Sequence, residues 1–245
     1  METRFISLED LANVIEHSLL RPDMTVSAVR EGCAIARECG VVGVCARPTD
    51  LPILVEELAG TGIVIATTIG FPHGVTTTAA KVAEARDVVA GGAVEVDMIL
   101  NVGKLRSGDH RFVEDDIRGV AEAAHSGGAL VKVIFENCYL TDEEKVVACR
   151  LSEAAGADFV KTSTGFARAG ATVEDLQLMR RTCSPKVRVK AAGGVSSLDA
   201  TLAVVAAGAD RVGTSSTRVI LDEARRRADA TGRLTLRAAP WPPAA

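Results

Sequence analysis

Aromatic residues are scarce in this chain: Phe, Tyr and Trp together make up 3% of its 245 positions, and Tyr and Trp occur once each. A large core must therefore be built from Val, Ala, Leu and Ile, a bias that suits parallel strands buried on both faces and covered by Ala-rich helices. Hydrophobic residues still reach 47%, enough for a sizeable interior at this length. No strong charge of either sign is present, the formal net charge being −4. The one basic cluster, Arg225–Arg227, has no aromatic platform beside it, so nothing favours nucleic acid as a partner. A membrane span is also not expected, because Gly, Thr, Pro72 and His73 break up the uncharged stretch 58–80. The opening METRFISLED has acidic residues and no apolar segment, unlike a secretory signal.

Metal-binding and disulfide patterns are missing too. The six cysteines (Cys33, Cys39, Cys45, Cys138, Cys149, Cys183) form no C-x-x-C pair, and no His stands at metal-site spacing from them. The four histidines, His17, His73, His110 and His125, suggest no metal site among themselves. Reduced, mostly buried thiols in a cytoplasmic protein are the expectation. No G-x-G-x-x-G follows any strand candidate, which counts against a dinucleotide fold.

What is present is a rhythm. Short Val/Ile-rich runs at 41–46, 63–69, 93–100, 129–135, 157–162, 186–192 and 209–214 alternate with longer amphipathic stretches such as 76–90, 109–126, 141–155 and 196–207. Thr141 with Glu144, and Thr172 before Val-Glu-Asp, are helix-start signals. An eighth strand is expected at 17–20, after a short N-terminal helix over SLEDLANVIE. Eight such units without a long linker predict an α/β fold, a single (β/α)8 TIM barrel spanning 1–245. Its core runs over about 12–228, and the tail 229–245 is expected to be loosely held.

Several charges fall in mid-strand, where helices cover the outer face and a charge must point into the barrel. By alternation, Glu95 shares a face with Asp97, and Lys186 with Arg188 and Lys190, while Lys132 lies opposite Val131 and Val133. Glu95, Lys132, Lys186 and Arg188 are read as a structural ion-pair network. Asp97, Lys161 and Lys190 sit toward the C-terminal ends of their strands, the rim where barrel enzymes do their chemistry. Two lysines and one acid meet the needs of Schiff-base catalysis. A second ammonium about 6 Å away, at an effective dielectric of about 20, costs about 3 kcal/mol and favours the neutral, nucleophilic amine. A nearby carboxylate can move the protons.

Two loops suggest an anion site. Gly193-Gly194 follows Lys190 and leads into a helix opened by Ser196 and Ser197; Gly213, Ser215 and Ser216 lead into the next helix. Glycines let the backbone approach a ligand, and helix N-termini favour an anion. The loops after the last two strands of such a barrel commonly bind phosphate.

The segments DFVKTSTGF (158–166), EVDMILNVG (95–103) and VKAAGGV (189–195) resemble the signatures of the deoxyribose-phosphate aldolase family. So do IEHSLL (15–20), GVCARP (43–48), IGFPHG (69–74) and KVIFENCYLTDEE (132–144), in the family's order over about residues 12–220. The resemblance implies a class I aldolase with Lys161 as Schiff-base lysine, Lys190 as the lysine that perturbs it, and Asp97 as proton-relaying acid. Gly193, Gly194, Gly213, Ser215 and Ser216 match phosphate-contacting loops. The implied reaction is reversible cleavage of 2-deoxy-D-ribose 5-phosphate to D-glyceraldehyde 3-phosphate and acetaldehyde, a step of deoxyribose phosphate catabolism. It would need no cofactor and no metal, in a cytoplasmic homo-oligomer, dimer or tetramer.

The chain departs from the family's pattern in places. Glu16 and Ser18 stand where Asp and Thr are frequent, and Ser196 where Arg is frequent. Phe166 replaces the Lys of one branch, and no C-terminal Tyr is present; the sole Tyr139 reads as a rim packing residue, and Cys45 as a thiol near the pocket rim. Two alternatives stay open at this point: another phosphosugar barrel aldolase or isomerase, and a catalytically silent phosphosugar-binding barrel.

Overall fold

The computed structural model describes residues 4–236. Strand β1 (Arg4–Ser7) and helix α1 (Leu8–Ala12) precede the first barrel strand, β2 (Ile15–Leu19). Ser7 caps α1 by accepting from Asp10 N. The helix is shorter than the 7–16 expected, because the β-branched pair Val14-Ile15 favours extended backbone and Ile15 and Glu16 join the strand.

Then follow α2 (Val26–Cys39), β3 (Gly43–Ala46), α3 (Leu51–Glu57), β4 (Val64–Ile69), α4 (Thr78–Ala90) and β5 (Glu95–Ile99). Next come α5 (Val102–Arg106), α6 (His110–Ser126), β6 (Leu130–Ile134), α7 (Asp142–Ala154), β7 (Phe159–Lys161) and α8 (Val173–Thr182). The chain continues through β8 (Arg188–Ala192), α9 (Leu198–Ala206), β9 (Arg211–Thr214), α10 (Thr217–Arg227) and β10 (Arg233–Leu236). Strands β2 to β9 pair in sequence order, all parallel, and β9 closes on β2 through Glu16 opposite Gly213. This is the (β/α)8 barrel.

Alternation builds its two faces. Val44, Val96, Val131, Val133, Val160, Val189 and Val212 are fully buried under the helices, with α4, α6, α7 and α8 closing one side. The helix starts follow their caps: Thr141 and Glu144 form a reciprocal capping box on α7, and Thr172 accepts from Asp175 N on α8. One buried charge outside the barrel escaped sequence analysis. Lys81 of α4 donates to Asp116 of α6 at 2.6 Å and to the Ile99 carbonyl at 2.9 Å, tying two helices to the end of β5.

Two expectations are corrected. Part of the tail 229–245 is held: β10 pairs antiparallel with β1 in a separate two-stranded sheet, where Leu234 is buried. The alternating RLTL pattern offers one apolar face, and β1 supplies the partner. Residues 237–245 lie outside the described residues. Lys186 is exposed and precedes β8 instead of facing the interior, because the strand begins only at Arg188.

Candidate active site

The barrel interior is ionic. Glu16 of β2, Glu95 and Asp97 of β5, Lys132 of β6, Lys161 of β7 and Lys190 of β8 are all at most 3% exposed. Asp97 is the hub. Its Oδ2 accepts from Lys161 Nζ at 2.6 Å and from Lys190 Nζ at 3.0 Å, and its Oδ1 accepts from Lys132 Nζ at 2.8 Å. Pairing of Thr68, Asp97 and Lys132 across β4, β5 and β6, and of Lys161 with Lys190 across β7 and β8, sets this geometry. Lys190 also donates to Glu16, and Lys132 forms an ion pair with Glu95. Toward the N-terminal ends of the strands, Arg188 lies over the Phe159 ring at 3.8 Å, and Arg211 is 5.8 Å from the same centroid.

Burial alone would raise the Asp97 carboxyl, but the surrounding ammoniums of Lys132, Lys161 and Lys190 overturn that and hold it well below the usual carboxylate range. Burial likewise works against a charged Lys190, yet the Asp97 and Glu16 carboxylates outweigh it and push its pKa up. The same balance raises Lys132. Cys45 Sγ sits 3.9 Å from Asp97 Oδ2, and burial pushes its thiol up to about 11. It is thus a deeply buried neighbour of the acid rather than a rim thiol.

Above the hub, at the C-terminal ends of the strands, opens a cavity of about 310 Å³. Lys161 lines it; Asp97 and Lys190 lie behind the lining. Gly193, Gly194, Gly213, Ser215 and Ser216, from the ends of the neighbouring β8 and β9, line it as well. Gly193 and Gly194 have φ of 81° and 77°, backbone that favours glycine. Ser197 caps α9 by accepting from Ala200 N, whereas Ser216, at the start of α10, makes no side-chain cap bond. The α10 N-terminus therefore offers its positive end to the cavity.

All eight residues singled out in the sequence thus converge on one site. Other residues join them, of which Arg21 and Thr164 were not singled out in the sequence. Glu16, noted above only as standing where Asp is frequent, is an ion-pair partner of Lys190; alternation with Ile15 and His17 carried the signal. Arg21, Ser18, Thr164 and Phe166 also line the cavity, and Phe166 stacks edge-on against Phe71 with ring centroids 5.4 Å apart. Gly170 had no signal: a Cβ there would meet the Gly193 carbonyl oxygen at 2.1 Å, so the loop after β7 needs glycine to cross the Gly193 turn. Tyr139 is 44% exposed beneath Arg168, outside this cavity. Among the described residues, no group of three or more His, Cys, Asp or Glu is arranged to hold a metal ion, and no helix is long and apolar enough to cross a membrane.

A closed parallel barrel with a buried lysine opening into a cavity at its C-terminal rim defines a (β/α)8 enzyme acting on a small molecule. The model of the DeoC/LacD family aldolases matches residues 15–239, and the chain belongs to that family. It is a carbon–carbon lyase. A deoxyribose-phosphate aldolase of Brevibacillus brevis is 53% identical over 202 residues, covering 82% of this chain and 90% of the relative. One from Bacillus cytotoxicus is 50% identical over 212 residues, covering 86% and 95%. The tetrameric deoxyribose phosphate aldolase from Aeropyrum pernix superposes with a TM-score of 0.83 at 32% identity, over 89% of this chain and 92% of that one.

Proposed function

We propose that this enzyme reversibly cleaves 2-deoxy-D-ribose 5-phosphate to D-glyceraldehyde 3-phosphate and acetaldehyde through a Schiff base on Lys161. Relatives at 50% identity or more that carry the name deoxyribose-phosphate aldolase support the substrate. One observation carries the role of Lys161. Of the two lysines that touch Asp97 Oδ2, it alone lines the cavity, while Lys190 stays behind it, bound to Glu16 as well.

The Lys161 amine, once unprotonated, adds to C1 of the open-chain sugar. The carbinolamine loses its hydroxyl as water, with Asp97 and Lys190 relaying the proton, and leaves the protonated imine. Loss of the C3 hydroxyl proton breaks the C2–C3 bond. The electron pair passes onto C2 and the imine nitrogen as an enamine, and glyceraldehyde 3-phosphate departs as an aldehyde. Protonation of the enamine carbon and addition of water release acetaldehyde and restore the amine. Gly193, Gly194, Gly213, Ser215 and Ser216 bind the phosphate through backbone N–H groups, hydroxyls and the α10 N-terminus.

In this reading the enzyme serves deoxyribose phosphate catabolism in the cytoplasm, needs no cofactor, and works as a homo-oligomer, dimer or tetramer. The tetrameric Aeropyrum pernix relative supports the last point. The test is acetaldehyde with borohydride, followed by peptide mapping, beside a retro-aldol assay on 2-deoxyribose 5-phosphate. A reduced adduct on Lys161 together with turnover is expected. Label on Lys190 alone, or nowhere, would overturn the assignment.

A further inference from the structure

Strand β6 runs into a residue with unusual backbone. Glu136 has φ 57° and ψ 60°, and among the described residues it is the one non-glycine residue with positive φ. That conformation is disfavoured for any residue with a Cβ, and glycine would serve a turn that needed nothing else. The side chain is equally costly to place, since Glu136 is only 4% exposed. Burial pushes its carboxyl up, against the bonds it accepts. Disfavoured backbone and a buried acid at one position point to work done there.

The carboxylate reaches across to the loop after β7. It accepts from Thr164 N at 3.2 and 3.4 Å and from the Thr164 hydroxyl. Thr164 Oγ1 in turn accepts from Phe166 N at 3.0 Å. Gly165, between them, lies against the Gly193 turn: a Cβ on Gly193 would sit 3.5 Å from Gly165 Cα. Thr164, Gly165 and Phe166 all line the cavity that Lys161 enters.

We propose that Glu136 is a positioning residue whose carboxylate clamps the Thr164–Phe166 loop against the Gly193 turn and so fits the cavity to the phosphate end of the substrate. Left-handed backbone at 136 aims the side chain back at Thr164, which explains why an acid occupies a glycine-like position. The inference rests on the reading that this cavity holds a phosphorylated sugar.

Glu136→Gly and Glu136→Asn both tolerate left-handed backbone, and neither side chain spans the distance to Thr164. Both variants should still melt in one cooperative transition. KM for 2-deoxyribose 5-phosphate should rise about tenfold or more, the scale of lost hydrogen bonds to a charged group, with kcat changed far less. Cleavage of unphosphorylated 2-deoxyribose should stay within about threefold. Glu136→Gln, which keeps an acceptor within reach of Thr164, should recover most of the loss. An unchanged KM in the Gly and Asn variants would overturn the clamp, and so would equal losses on both sugars. If the wild-type enzyme does not cleave the phosphorylated sugar, the functional reading fails by itself. Calorimetric titration with inorganic phosphate then decides the clamp: a weaker Kd in the Gly and Asn variants supports it, and an unchanged Kd overturns it.

Discussion

Glu16 on β2 and Lys190 on β8 form an ion pair in the middle of the barrel, both side chains at most 1% exposed. Asp97 completes the cage, so Lys190 is held charged between two carboxylates despite its burial. Lys161 therefore shares one oxygen of the Asp97 carboxylate with a fixed positive charge. Glu95 and Lys132 form the ion pair expected of them, and Glu16, which the expected network left out, joins it.

Lys190→Met tests the lysine pair directly. Met keeps much of the side-chain volume and removes the charge that shares Asp97 with Lys161. If an ammonium about 6 Å away is worth about 3 kcal/mol, kcat at pH 7 should fall about a hundredfold. Raising the pH should restore part of the loss, because the nucleophile is intact. A pH–rate profile beside wild type and Lys161→Met checks this, the latter recovering at no pH. An unchanged profile for Lys190→Met would refute the paired-lysine mechanism.

A negative charge in the phosphate wall should discriminate between sugars. Ser215→Asp places a carboxylate beside the α10 N-terminus, where the phosphate binds in this reading. KM for 2-deoxyribose 5-phosphate should rise steeply, while cleavage of unphosphorylated 2-deoxyribose changes far less. Gly194→Asp should act in the same direction, with an added folding cost because Gly194 has φ 77°. Equal loss on both sugars in Ser215→Asp would move the phosphate elsewhere.

His17 should make the fold acid-sensitive. Burial lowers its pKa from 6.5 to about 4, and its Nδ1 lies 2.8 Å from Thr217 Oγ1 at the start of α10. Between those values the unfolded chain binds the proton and the folded one does not. Stability is therefore full above pH 6.5 and falls as the pH drops towards 4, by up to about 3 kcal/mol from this residue. Chemical denaturation at pH 7 and pH 4.5 should show a smaller loss in His17→Gln than in wild type. An equal loss in both would remove His17 from the acid response.

Activity should persist in excess EDTA, because the sequence holds no His/Cys/acid cluster at ligand spacing. The assay is retro-aldol turnover after dialysis against chelator. Loss that returns on adding zinc would make this a metal-dependent aldolase.

Periodicity decides much that was legible beforehand. The eight alternating units and the inward face of Glu95, Asp97 and Lys190 follow from spacing of 2.0 and 3.6 residues, and the caps at Thr141 and Thr172 from residue type. Element ends were less legible. Lys186 continued the alternation on paper, but pairing starts at Arg188, and only a partner strand sets where a ladder begins. The strand at 233–236 depended in the same way on β1, more than 220 residues away in sequence.

By itself the sequence determined the barrel and the residue types of its site: local patterning specifies elements, and a charge in a doubly covered strand has only the interior to enter. Tertiary structure alone decided which groups meet. Which lysine opens into the cavity is not readable from position along the strands, since Lys161 and Lys190 pair directly across β7 and β8 and both touch one oxygen of Asp97. The grip of Glu16 on Lys190 spans 174 positions and exists only because β9 closes on β2. The reach of Glu136 to Thr164 depends on a single left-handed residue, a backbone choice that neither hydrophobic period nor charge encodes.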